Sequence, residues 1–544
     1  MNAAVRVSAV YFAFAAVITG PALLSGDLLG HPDVDVWNHA WGFWWFWDTL
    51  SAGRLPFRTD LVGAPQGGVL YFIDPLGALS ALPWVAAFGT TAAWNLVLLG
   101  RIAMAGWATH GLCRSLSGPG AHNYVAGIAM ASAPFLWVEI ANGISEVVAV
   151  GWIPACLWAA VVAVPTREPR RWALLGLCIG FAALACFYYG LLSGILVGCL
   201  LGANLVRGRG WWPGVGLAGG VALAVAAPGL LLLRRSLEAP AALVSRAESL
   251  NGELLEHNAV DPREWVMPGD FHSVDFAARY GEAFHHTLYL RWTVLLLVGW
   301  ACWRRRGEVA GWVGLALVSG VLGLGSLLWW DGAWVTVGGR ALSLPFGWLQ
   351  ALLPALAVTH PARLGLGAIV VTAVLAGWGL QGAGRSALWV VPLLLAETIL
   401  ASNAQWPLPT SPAAIPGVYR DFAAEDDPRA VLDLPASVGR TMATSRYFWY
   451  QTVHRKPVPW FPDVHEAHNG DRHSVRLFEH TPSGPAAALS DPAILRLRER
   501  YGWIVVHDDL EGRTRYPGEL TPLLTTAFGP PASADGLHVW HLGR

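Results

Sequence analysis

Long apolar runs separated by short polar turns dominate the first 400 residues. A spanning helix needs about 20 mostly apolar residues. The pattern predicts eleven such helices, at roughly 7–24, 91–113, 121–138, 147–164, 172–188, 190–206, 211–233, 289–303, 309–330, 363–381 and 386–402. The first has a single N-terminal Arg6, no clear small-x-small cleavage site, and further spans behind it, so it reads as an anchor rather than a signal peptide. The stretch 75–90 is apolar but broken by Pro75 and Pro83 and reads as an interfacial or re-entrant piece; 341–358 is ambiguous in the same way.

Arginine placement orients these helices. With the N-terminus inside, Arg114, Arg167, Arg170, Arg171, Arg207, Arg209, Arg304 to Arg306 and Arg385 fall in cytoplasmic loops, and the short turns at 139–146 and 189 contain none. Arg234 and Arg235 run against this, but they open a long loop, where the rule is weak. The large outer elements are then loops 25–90, 234–288 and 331–362, followed by an extracytoplasmic tail.

Beyond residue 404 the periodicity changes. A Pro-rich linker, 405–415, leads into a soluble segment, 416–544. There "AVLDLP" (430–435), "GWIVVHDD" (502–509) and "LHVWHL" (537–542) alternate as strands, and "PAILRLRERY" (492–501) reads as a helix. The expected fold class is an α-helical polytopic membrane domain (1–404) carrying a C-terminal α/β or α+β domain.

Composition sharpens this. Of the 544 residues, 54% are apolar and 13% charged, with mean hydropathy +0.44; soluble proteins carry roughly 25% charged residues. That excludes a soluble enzyme and a disordered chain. Near balance between 36 basic and 37 acidic residues excludes a nucleic-acid binder. Cys113, Cys156, Cys178, Cys186, Cys199 and Cys302 lie in or beside apolar runs without zinc-ligand spacing and read as small buried hydrophobes.

Candidate chemistry concentrates in the first outer loop. Asp33 and Asp35 follow the first span. Trp37, Trp41, Trp44, Trp45 and Asp48 then recur on one helical face, as in a Trp-rich helix lying flat in the headgroup layer, with His39 on the same helix. A solvated loop with a tryptophan anchor has the same pattern. Glu139 and Glu146 bracket a very short outer turn; acidic groups at the hydrocarbon edge are costly unless paired, hydrated or used, although Glu146 also suits a helix start. Arg363 stands where the tenth span enters from outside. Arg101 lies within the second span and is expected to pair with a buried carboxylate. His272, His285 and His286, and the cluster His465, His468, Asp471 and His473, are metal-ligand types without a catalytic-zinc motif. There is no phosphate-binding P-loop.

Together these features resemble the GT-C superfamily of integral membrane glycosyltransferases. Asp33-Val34-Asp35 matches its first-loop acidic motif, and Glu146 (or Glu139) its second. The stretch "GRLPFRTDLVGAPQGGVLYFIDPLGALSALP" looks like the link between its interfacial helices. The tail segments "RYFWYQTVHRKPV" and "YGWIVVHDD" resemble C-terminal domains of bacterial relatives.

The resemblance implies a polyprenyl-phosphate-sugar donor, a glycan, lipid or protein acceptor in the cell envelope, and contact with membrane lipids. Asp35 would be the general base. Asp33 and Glu146 would orient the acceptor or share a divalent cation with Asp35, Mg2+ or Mn2+; family members differ over that need. Arg363, Glu139, His39, Trp37 and Trp41 would bind substrate, Arg363 through the phosphate. A transporter or flippase of lipid-linked glycans, or a non-catalytic envelope assembly protein, are the alternatives; no internal duplication of the transporter type is visible.

Overall fold

A computed structural model describes residues 3–206, 211–238, 259–269, 283–352, 360–439, 441–461, 471–478 and 488–543. His272, His465 and His468 lie outside the described residues, as does most of loop 234–288. Helices occupy all eleven predicted segments. Seven are long and apolar enough to cross a membrane: Ala4–Ser25, Pro75–Ser117, His122–Ala141, Ser145–Ala163, Phe187–Val206, Trp212–Ser236 and Pro361–Gly379. Shorter or less apolar helices, Pro169–Ala185, Trp292–Arg304, Arg306–Gly323 and Val390–Leu400, fill the remaining positions.

Pro75–Ser117 sets the geometry of the site. Asp74 caps its start by accepting from the Gly77 amide at 2.9 Å, and Pro75 sits at the first helical position, where no amide hydrogen is needed. The helix bends sharply at Gly89, whose φ of 81° and ψ of 171° belong to a region that only glycine adopts readily. The piece before the bend contains the stretch expected to be interfacial, the piece after it contains the second predicted span, and the two halves fold back so that Asp74 reaches Arg101 at 2.8 Å.

Two expectations need correction. The predicted ninth span, 309–330, ends at Gly323. Gly325 takes φ +88°, and a tight hairpin follows, pairing Trp329–Trp330 with Ala333–Trp334 through an Asp331-Gly332 turn with both φ values positive. Of the stretch 341–358, residues 341–352 are described, and Pro345–Leu352 is helical. Cys199 is exposed on Phe187–Val206 rather than buried.

The Trp-rich helix, Val36–Ser51, departs furthest from its expected setting. Trp37, Trp41, Trp44 and Trp45 are all buried. Their face meets the tail, not the headgroup layer: Trp41 donates to Gln451 at 2.8 Å, its ring packs near Phe448, and Trp37 packs near Trp449. An amphipathic face records that something apolar covers it, and here the cover is the chain's own helix Arg446–His454.

That helix belongs to a mixed four-stranded sheet. Strand Ala430–Leu434 runs parallel to Tyr501–His507, which pairs antiparallel with Leu537–His541, and Ala532–Ala534 closes the edge. Helix Asp491–Arg500 leads directly into the central strand. The linker is not free: Thr410–Ser411 pairs antiparallel with Leu28–Leu29 in the first outer loop.

Because Gly89 has open space around its Cβ position, Gly89→Ala tests backbone strain alone. The substitution should destabilise the purified protein by about 1–3 kcal/mol, read as a lower midpoint in thermal unfolding. An unchanged midpoint would mean that the bend does not depend on glycine.

Candidate functional site

The loop 25–90 and the turn 139–146 meet at one packed junction. Gly143 takes φ +69°, and a Cβ there would lie 2.5 Å from the Val36 amide nitrogen, so only glycine lets the acidic turn approach. The His31 amide donates to the Ala141 carbonyl at 2.8 Å. The Asn142 side chain donates to the His285 carbonyl at 2.7 Å and accepts from its amide at 3.1 Å, which fastens the end of loop 234–288 to the same place.

From this junction a chain of buried polar groups runs inward. Arg101 is held by Asp74 at 2.8 Å and by the Ser145 carbonyl. The Ser145 hydroxyl donates to Asp74 at 2.6 Å and therefore accepts from His39 Nδ1 at 2.9 Å. That fixes the proton of neutral His39 on Nδ1 and turns the bare Nε2 toward Glu146 Oε2, 3.7 Å away. The other Glu146 oxygen meets Arg363 at 3.2 Å, and the Arg363 guanidinium lies 5.1 Å from the centre of the Tyr188 ring. Tyr188 OH accepts from the His360 amide, one turn before Arg363. Burial raises the Asp74 carboxyl above its ordinary range, although Arg101 and Ser145 pull it back. Burial also pushes His39 down to about 4, with Asp74 opposing and Arg101 and Arg363 adding to the shift.

Glu146 Oε2 and Glu139 Oε2 are buried without a hydrogen-bond partner among the described residues. Such atoms are costly, and both lie at this junction. Glu139 has His286 at 3.8 Å.

The acidic turn itself is half-buried. Asp35 sits at the start of the Trp-rich helix, with Asn38 donating to it at 3.3 Å. Asp33 is gripped by Arg513 of the tail through both carboxylate oxygens, at 2.9 and 2.6 Å, and its carbonyl accepts from the Met442 amide. Trp37 and Trp41 are turned into the tail interface. Thus Glu146, Arg363 and His39 form one contiguous cluster, with Asp33 and Asp35 on the adjoining turn and Glu139 on its flank.

A cation shared by Asp33, Asp35 and Glu146 is not the arrangement found. Asp33 and Glu146 are each engaged by arginine, and among the described residues no three His, Cys, Asp or Glu side chains converge as a metal set. The donor set fits guanidinium groups.

Asp74, Ser145, Gln451 and Arg513 were not singled out in the sequence. Only Asp74 had a signal: it is the acidic residue nearest in sequence to Arg101 that an apolar segment could bury.

No protein-family model matches this chain, and no curated protein matches it in sequence. Solved structures do. Arabinofuranosyltransferase AftD from Mycobacteria superposes with TM-score 0.57 at 16% identity, over 99% of this chain and 40% of that one. The Archaeoglobus fulgidus oligosaccharyltransferase in its apo form gives TM-score 0.53 at 11% identity, over 93% and 70%. The oligosaccharyltransferase AglB from the same organism, in complex with an inhibitory peptide and a dolichol-phosphate, gives 0.51 at 11%, over 93% and 70%. The chain has the GT-C fold. It spans 40% of the length of the arabinofuranosyltransferase.

A pH test probes the buried junction. The folded chain keeps His39 neutral down to about pH 4, whereas the unfolded chain takes up that proton near the ordinary value of 6.5. The stability tied to His39 is therefore complete above about 6.5 and is lost as pH falls toward about 4. On going from about pH 7.5 to about pH 5, thermal unfolding of wild type should shift down further than that of His39→Gln. Equal shifts would place His39 in contact with water.

Proposed function

We propose that this chain is a membrane glycosyltransferase. It transfers a sugar, hexosyl or pentosyl, from a polyprenyl-phosphate-linked donor to a glycan, lipid or protein acceptor of the cell envelope. The observation that carries the reading is the Glu146–Arg363 pair, which stands where the first-loop turn packs against the 139–146 turn, in a chain of GT-C fold. That convergence joins, at one end of the spans, the two charge types that the reaction needs.

The chemistry follows from those charges. Asp35 removes the proton of the acceptor hydroxyl as that oxygen attacks the anomeric carbon. The glycosidic bond to the donor phosphate breaks, and negative charge develops on the departing polyprenyl phosphate. Arg363 neutralises that charge as a planar donor with two parallel N–H groups; Glu146 holds the guanidinium in place beforehand. Asp33 positions the turn through Arg513, His39 stands beside Glu146, and Glu139 lines the acceptor side. A dolichol-phosphate in the oligosaccharyltransferase neighbour supports a lipid-phosphate donor. The protein lies in the plasma membrane, N-terminus in the cytoplasm and tail outside, where residues 416–544 cover the acceptor side.

Asp35→Asn keeps size and hydrogen bonding but removes the basic oxygen. Because a placed general base is worth roughly 100- to 10,000-fold, the turnover of lipid-linked sugars extracted from the source membranes should fall by that factor, about 3–5 kcal/mol. Asp48→Asn, on the same helix but paired with Arg455 at 2.7 Å, should retain a near wild-type rate. A wild-type rate in Asp35→Asn would remove this carboxylate from the mechanism.

A further inference from the structure

One cavity remote from the acidic junction has a composition that neither catalysis nor fold accounts for. It measures about 660 Å3 and lies among the far ends of four helices, within the roughly 300–1,000 Å3 typical of small-molecule sites. Glu146 lies at the start of Ser145–Ala163 and Val161 near its end, so the cavity sits about 22 Å down that helix at 1.5 Å per residue. It is therefore at the opposite membrane surface from Arg363.

Its walls are apolar: Leu116, Val164, Leu200, Trp211 and Trp312. Its rim is polar and positive. Arg167 is exposed and makes no ion pair among the described residues, because the adjacent carboxylate, Glu168, is taken by Arg170 at 2.9 Å and Arg171 at 3.1 Å. The N-terminal end of Pro169–Ala185 adds the positive pole of its helix dipole beside it. Asn204 donates to its own helix at the Leu200 carbonyl, which leaves its side-chain oxygen as an acceptor on the rim.

We propose that this cavity binds an anionic phospholipid of the leaflet opposite the acidic junction. The phosphate would sit at Arg167 and the helix N-terminus, and an acyl chain would run between Leu116, Val164 and Leu200. A soluble anion would satisfy the rim alone and leave the apolar walls wet; a zwitterionic lipid would satisfy the walls alone. The proposal rests on the reading that these helices span the membrane, and it is independent of the transferase chemistry.

The full chain is reconstituted in nanodiscs containing phosphatidylglycerol or phosphatidylcholine with a diazirine in the acyl chain, photolysed, and mapped by peptide mass spectrometry. The exposed segment around Leu223 and Leu231 serves as the lipid-facing reference. The phosphatidylglycerol preference at 161–167 should exceed that at the reference about five-fold, the factor expected from roughly 1 kcal/mol per basic residue at an anionic surface. Arg167→Gln should abolish the preference and Arg167→Lys restore it. Val164→Trp, which fills the cavity, should suppress both lipids there and leave the reference unchanged. An equal preference at both segments, or one indifferent to Arg167→Gln, would overturn the proposal. No labelling at the reference segment would overturn the spanning reading and the site with it.

Discussion

A guanidinium inside a membrane-spanning helix must have a partner, and that requirement organises the outer half of this molecule. Left unpaired at the centre of a span, an arginine costs about 3 kcal/mol on insertion scales. Arg101 finds Asp74, the cap of its own helix, only because the chain doubles back at Gly89. Gly77 leaves the room: a Cβ there would lie 2.2 Å from the Arg101 guanidinium and from the Asp74 carboxylate. Asp74 then has an oxygen for Ser145, Ser145 has a lone pair for His39, and His39 presents its bare nitrogen to Glu146. The polar chain from Arg101 to His39 thus descends, contact by contact, from the burial of one positive charge, and Glu146 beside its end is held by Arg363.

A second constraint comes from the tail, which shapes the first outer loop. Linker strand Thr410–Ser411 pairs with Leu28–Leu29. The backbone amides of Gly63 and Ala64 donate to Trp460 and Val458. Gln451 accepts from Trp41 and donates to the Leu61 carbonyl. Arg513 takes both oxygens of Asp33. Buried polar groups joined in this way fix a register more than they add stability. The acidic turn at 33–35 is accordingly a product of both ends of the chain, and the tail acts on the site through positioning.

Much of the fold was legible because its signals are local. Apolar runs located the eleven helices, and alternation located the tail strands at 430–434, 501–507 and 537–541. The stop at Gly323 and Gly325 was equally local, and running past it made the ninth span too long. What stayed hidden depends on tertiary choice. The spacing of Trp37, Trp41, Trp44 and Trp45 revealed a buried face but not whether lipid or protein covers it. Asp33, Asp35, Glu146 and Arg363 were visible as charges in costly places. That Glu146 would face Arg363, or that Arg513 would hold Asp33, depends on contacts between segments hundreds of residues apart, which no local pattern encodes.

The central claim is that the Glu146–Arg363 junction receives the phosphate of a polyprenyl lipid. Its most direct test is the binding of sugar-free polyprenyl phosphate to purified wild type and Arg363→Gln, measured by native mass spectrometry in detergent. Loss of one charge-assisted hydrogen-bonding group, about 1.5–3 kcal/mol, predicts binding weaker by roughly 10- to 150-fold in the variant. Undiminished binding by Arg363→Gln, with the protein still folded, would contradict the account.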